Sequence, residues 1–182
     1  MKTKEFTTIS IFAAIIIVLQ ILATYINISG FPITLTLVPI IVAGAIYGPK
    51  MSTLMGLVFG VIVLVMVIMG ADVGGAAMFS VHPLITVIVC LLKGAMCGLC
   101  SGLVYKLFKK RNNKIALILS AITTPIINTF TLYLFIIMFF DSSFKVMIGA
   151  FVSINFVIEL LINALLAPGL LVLINRYKNR YK

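Results

Sequence analysis

Lys93 and Glu159 have the most chemistry to offer, because each stands alone in an apolar stretch long enough to cross a bilayer. An ionisable side chain at mid-membrane depth is costly, so it faces a protein interior, pairs with another group, or marks a ligand or ion path. Asn155, Glu159 and Asn163 recur every four residues, which puts them on one face of a helix. Asn128 adds an amide in the preceding apolar stretch. Counting helical rise puts Lys93 about 15 Å, and Asn128 and Glu159 about 20 Å, from the ends of their stretches. The expectation is one polar layer near mid-membrane that contains Lys93, Asn128 and Glu159.

Two readings of that layer stay open. In one, Lys93 and Glu159 form a buried ion pair, and the asparagines satisfy the leftover hydrogen bonds. In the other, Lys93 and Asn155 face a cavity open to the outside, and Lys93 receives a ligand carboxylate. The second reading requires Glu159 to be engaged elsewhere, for example with Asn128, or protonated. His82 is placed to touch a ligand at the cavity mouth or to serve structurally at a helix start. Asp72 reads as a solvated loop residue.

Other chemistry finds little support. Cys97 and Cys100 form a C-x-x-C, but zinc takes about four ligands and there is no second pair and no nearby His. Small thiols in helix packing account for them, and no metal or cofactor is expected. There is no G-x-x-x-x-G-K-S/T loop for nucleotide and no H-E-x-x-H. A membrane enzyme acting on lipid needs a nucleophile or metal cluster near an interface, and none is visible. The chain reads as a non-enzyme.

The elements that position these residues follow from composition. Of 182 residues, 63% are hydrophobic and 10% charged, a balance that belongs to membrane proteins. With about 20 apolar residues per crossing, six spans fit, at about 6–26, 34–48, 51–70, 83–108, 115–140 and 145–174. The second is short. The first has a basic start and an apolar run, but lacks a clear small-residue cleavage site around Tyr25–Ser29, so it is kept as a span. The expected fold class is an all-α integral membrane protein with six transmembrane helices and a single domain over residues 1–182.

The net charge of +10 is a topology signal and not a nucleic-acid footprint. With a cytoplasmic N-terminus, 12 of the 14 basic residues fall on cytoplasmic segments, clustered at Lys106–Lys114 and Arg176–Lys182. Only Lys145 lies on the other face. That bias puts both termini in the cytoplasm and the basic residues against anionic lipid.

Loop 1, around Ser29, Gly30 and Pro32, and loop 3, from Gly70 to Ala77, carry turn formers. Such loops serve over a membrane cavity as lids or as plain connectors. Small residues recur every four positions: Ser10 with Ala14, Gly44 with Gly48, Gly56 with Gly60, and Gly94, Gly98 and Gly102. These stripes let helices approach closely, either within the bundle or against a second membrane protein. Self-sufficient secondary transporters often show inverted repeats, and none is evident here. A polar interior in six short spans without an energy source points to a binding subunit that borrows energy from a partner.

Several segments resemble the substrate-binding S components of energy-coupling factor (ECF) transporters, the prokaryotic vitamin-uptake systems. They are Leu37–Lys50 with its Gly-Pro-Lys turn, Gly56-Leu57-Val58-Phe59-Gly60, and Gly98–Lys106. Asn128-Thr129 and Asn155-x-x-x-Glu159 are similar to the pantothenate-type branch. The resemblance implies a plasma-membrane protein that captures a small water-soluble vitamin, pantothenate first, beneath loops 1 and 3. It implies docking on a transmembrane coupling protein driven by two cytoplasmic ATPases, through spans 1–3, with Ser10, Ala14, Gly56 and Gly60 at the contact.

The chain departs from the branch at Leu92-Lys93, where the pattern resembled has an arginine after proline, and at Val157-Ile158, which lacks a proline before Glu159. Lysine keeps the charge but loses the planar two-point fork. Other vitamins or precursors, such as riboflavin or hydroxymethylpyrimidine, and a non-transport accessory role stand as alternatives. The substrate residues expected are Lys93, Asn128, Asn155, Glu159 and His82. With no Trp in the chain, Phe31 and Phe79 join them for stacking.

Overall fold

The computed structural model describes the backbone of residues 3–25, 27–28, 31–32 and 36–180, and side chains within 9–23, 36–142, 145–146, 149, 152–172 and 174. Described residues form α1 (Thr3–Tyr25), α2 (Leu37–Tyr47), α3 (Pro49–Ile68), α4 (Val73–Val81), α5 (Pro83–Phe108), α6 (Asn113–Phe139) and α7 (Ser142–Arg180). A two-residue antiparallel pairing, β1 (Asn27–Ile28) with β2 (Phe31–Pro32), links α1 to α2.

Among the described residues the protein is all-helical but for that short pairing. Four stretches among the described residues are long and apolar enough to cross a membrane: Pro49–Ile68, Pro83–Phe108, Asn113–Phe139 and Val152–Val172. Within the described residues, Ile9–Ala23 and Leu37–Tyr47 are shorter apolar helices. At 11 residues, α2 spans only about 16 Å, well short of a hydrocarbon core. It stops because Gly48 takes φ +91°, a backbone region closed to most side chains, and Pro49 then starts α3. Large apolar side chains such as Phe130 and Leu165 point outward at 61% and 78% exposure, which suits lipid and not water.

The centre of the bundle is α5, packed most extensively on α3 and α6. The α3–α5 seam is built from glycine. A Cβ on Gly56 would strike the carbonyl oxygen of Gly94, and one on Gly94 would strike that of Gly56. A Cβ on Gly60 would come to 2.5 Å from the Cys90 carbonyl oxygen, and one on Gly98 would strike that of Ser52. Backbone therefore packs on backbone, and dispersion replaces the hydrophobic drive that helices lack in lipid.

Loop 3 is not the open connector its glycines suggest, because α4 folds within it. Asp72 caps α4, its Oδ1 accepting the Gly75 N–H at 2.9 Å. Gly75 then fits against Val67 where no side chain would.

Candidate functional site

The polar layer expected from the sequence converges. A cavity with about 420 Å³ of empty space, counting the solvent at its mouth, is bordered by Lys93 from α5, Asn128 from α6, and Asn155 and Glu159 from α7. Its apolar walls come from Phe59 and Val63 on α3, Leu132 on α6 and Val152 on α7.

Glu159 organises the α6–α7 side. It is 1% exposed, and each carboxylate oxygen accepts an amide N–H: Oε2 from Asn128 at 3.2 Å and Oε1 from Asn155 at 3.3 Å. Asn163, one turn further along α7, donates to the Glu159 carbonyl at 2.8 Å. The four-residue spacing of this stripe is what lets the three α7 side chains stack on one face. Using both asparagine NH₂ groups on Glu159 leaves the buried Asn128 Oδ1 without a protein hydrogen-bond partner. A buried acceptor in that condition costs about 1–3 kcal/mol until something donates to it.

Lys93 is half-buried, with its Nζ 5.8 Å from the centre of the Phe59 ring. An ammonium over an aromatic face gains a modest attraction without surrendering its three donors. The cavity thus holds an ammonium on one wall and an amide-capped carboxylate on another.

A family model described as "ECF transporter, substrate-specific component" matches residues 4–173. The chain belongs to this family. It is a multi-pass plasma-membrane protein, a substrate-binding transport subunit of the vitamin-uptake kind and not an enzyme. It is similar to the pantothenic acid transporter PanT of Lactococcus lactis subsp. cremoris (strain MG1363), 25% identical over 193 residues, which cover 98% of this chain and 97% of that protein.

In this substrate-specific component the remaining sequence candidates fall in different places. His82 is exposed at the junction of α4 and α5, its ring edge-on to Phe140 at 5.3 Å. Phe79 is half-buried on α4 and packs against the apolar core beside α3. Neither borders the cavity. The α4 helix and its junction with α5 hold both residues. The Phe31 side chain, expected to stack on a ligand, lies outside the described residues.

Gly56 and Gly60 are buried in the α3–α5 seam, so their stripe faces inward and not toward a docking partner. Ser10 and Ala14 are exposed on α1.

The cavity also has residues that the sequence reading passed over. Gln20 is 2% exposed, reaches the cavity from α1, and accepts the Thr36 hydroxyl at 3.1 Å through Oε1. A lone glutamine in an apolar helix was the available signal, with the same logic as Asn128. Asp72, read as solvated, is instead 5% exposed and borders the cavity. Burial pushes its carboxyl up from the ordinary range, offset in part by the Gly75 N–H and by the Lys93 charge.

Proposed function

We propose that this substrate-specific component captures pantothenate, or a close relative carrying a carboxylate, an amide and hydroxyls, in the cavity between α3, α5, α6 and α7. The observation that carries this reading is that one cavity is bordered by the Lys93 ammonium and by the amides of Asn128 and Asn155. Both oxygens of Glu159 accept asparagine amides, and the Lys93 ammonium lies 5.8 Å from the centre of the Phe59 ring. An ammonium so placed has donors to give a ligand carboxylate.

Each part of pantothenate has a counterpart in the wall. Lys93 takes the carboxylate. Asn128 Oδ1, a buried acceptor in need of a donor, takes a hydroxyl or amide N–H. Asn155, Gln20 and Thr129 offer further polar contact, and Phe59, Val63, Leu132 and Val152 receive the methyl groups. Glu159 orients the two asparagines without itself meeting an anionic ligand. The likeness to PanT supports this choice of vitamin.

The chain works as one domain over residues 1–182, crossing the membrane six times with both termini in the cytoplasm. The excess of Lys and Arg on the segments assigned to that side supports the orientation. The cavity then opens outward beneath loops 1 and 3. Energy for release comes from a transmembrane coupling protein and two cytoplasmic ATPases, with the exposed Ser10–Ala14 face of α1 at the docking contact.

Mass spectrometry of small molecules released from detergent-purified protein tests the reading. Pantothenate, in near-stoichiometric amount, is the result expected. A different vitamin in that fraction would sink it.

A further inference from the structure

The charges around the cavity do not balance for an anionic ligand. Its border carries one ammonium, Lys93, and two carboxyl groups, Asp72 and Glu159. With all three ionised the site has a net charge of −1, and a bound carboxylate makes it −2. A water-poor site tolerates that poorly, because charge repulsion strengthens as the local dielectric falls.

The two carboxyl groups differ in how they are held. Glu159 has a side-chain amide N–H on each oxygen. Asp72 accepts one backbone N–H, from Gly75. Asp72 and Lys93 also border a second space of about 310 Å³, toward Met78 and Thr86, so the two charges lie at the junction of both spaces. The charge of Lys93 acts on Asp72, while burial disfavours its ionised form. The titratable side chains around Asp72 among the described residues are Lys93 and Cys90 on α5 and Glu159 on α7. Gln20, Phe59, Val63 and Asn128, from α1, α3 and α6, do not titrate.

We propose that Asp72 is the resident counter-ion of Lys93 in the empty site, that a ligand carboxylate replaces it there, and that Asp72 then takes up one proton from solvent. The proton restores the net charge of −1, and no other group changes state. Asp72 thereby sets the charge that the site accepts: ionised it opposes an anion, protonated it admits one. Because Asp72 also caps α4, the exchange reaches the loop beside the site. The proposal rests on the carboxylate-binding role of Lys93 given above.

Titration calorimetry with pantothenate, at pH 6 to 8 and in two buffers of different ionisation enthalpy, reads the proton directly on the wild-type protein. Binding that takes up about one proton, and that tightens up to about tenfold per unit fall in pH, is expected. Asp72→Asn keeps the helix cap, since Asn caps as well as Asp. That variant is expected to bind more tightly at pH 8 and to lose the pH dependence. Panthenol, the neutral alcohol analogue, should show no proton uptake in either protein.

Wild-type binding of pantothenate without proton uptake, or an Asp72→Asn variant that keeps the wild-type pH slope, overturns the proposal and leaves the capture reading intact. A wild-type protein that binds neither compound overturns both.

Discussion

Asn128 on α6 donates an amide N–H to Glu159 on α7 across 3.2 Å, and Glu159 is thereby engaged by an amide within the cavity wall. Asn155 occupies the other carboxylate oxygen at 3.3 Å. A carboxylate whose oxygens accept asparagine amides holds those amides in place, and both asparagines border the cavity. The bond also ties α6 to α7 at the cavity border.

Replacing Glu159 by Gln puts an NH₂ where one asparagine now donates. Two donors then face each other, so either Asn128 or Asn155 must turn over. We expect Glu159→Gln to lose about 1–3 kcal/mol of stability, the cost of a mispaired buried polar group. Ligand affinity should fall about tenfold, because an asparagine leaves its orientation. Detergent melting curves and calorimetry check the two effects separately, and a variant unchanged in both would remove Glu159 as the organiser.

Gly98 faces the Ser52 carbonyl so closely that no Cβ fits between them. Gly98→Val therefore has to separate α3 from α5, since the obstacle is backbone and cannot rotate away. A cost of at least about 3 kcal/mol follows for overpacking of this kind. Loss of monodisperse protein on size-exclusion chromatography is the expected sign. The same substitution at Gly169, where a Cβ would meet nothing within 4 Å, serves as the tolerated control.

Phe79 and His82 sit near the site in sequence but not on its border. Phe79→Ala and His82→Ala should change affinity for the captured vitamin by less than about twofold, while Phe79→Ala lowers stability by about 3 kcal/mol or less, as its ring is only partly buried. Radioligand binding beside melting curves distinguishes these effects. A tenfold loss of affinity in either variant would place the ligand under α4.

Much of this arrangement was legible in the sequence because membrane burial makes isolated polar residues conspicuous. Lys93, Asn128 and Glu159 each interrupt an apolar run, and helical rise alone brought them to one depth. The i, i+4 spacing of Asn155, Glu159 and Asn163 gave the face. Distances within that layer were out of reach, because the hydrogen bonds of Asn128 and Asn155 to Glu159 depend on how α6 and α7 pack and not on spacing along the chain.

Loop 3 was misread for a physical reason. Gly70, Gly74 and Gly75 resemble a flexible connector, but Gly75 is small because Val67 lies against it, and Asp72 is a helix cap. The same ambiguity affected Gly56 and Gly60, whose spacing says that a helix comes close without saying which helix. Here the close neighbour is α5 of the same chain.

The account stands or falls on Lys93 holding a ligand carboxylate. Calorimetric titration of pantothenate into wild type, Lys93→Ala and Lys93→Arg measures this most directly. Affinity at least about tenfold weaker in Lys93→Ala, with substantial recovery in Lys93→Arg, is the result predicted for a charge-assisted contact. Equal affinity in the wild type and Lys93→Ala would contradict it.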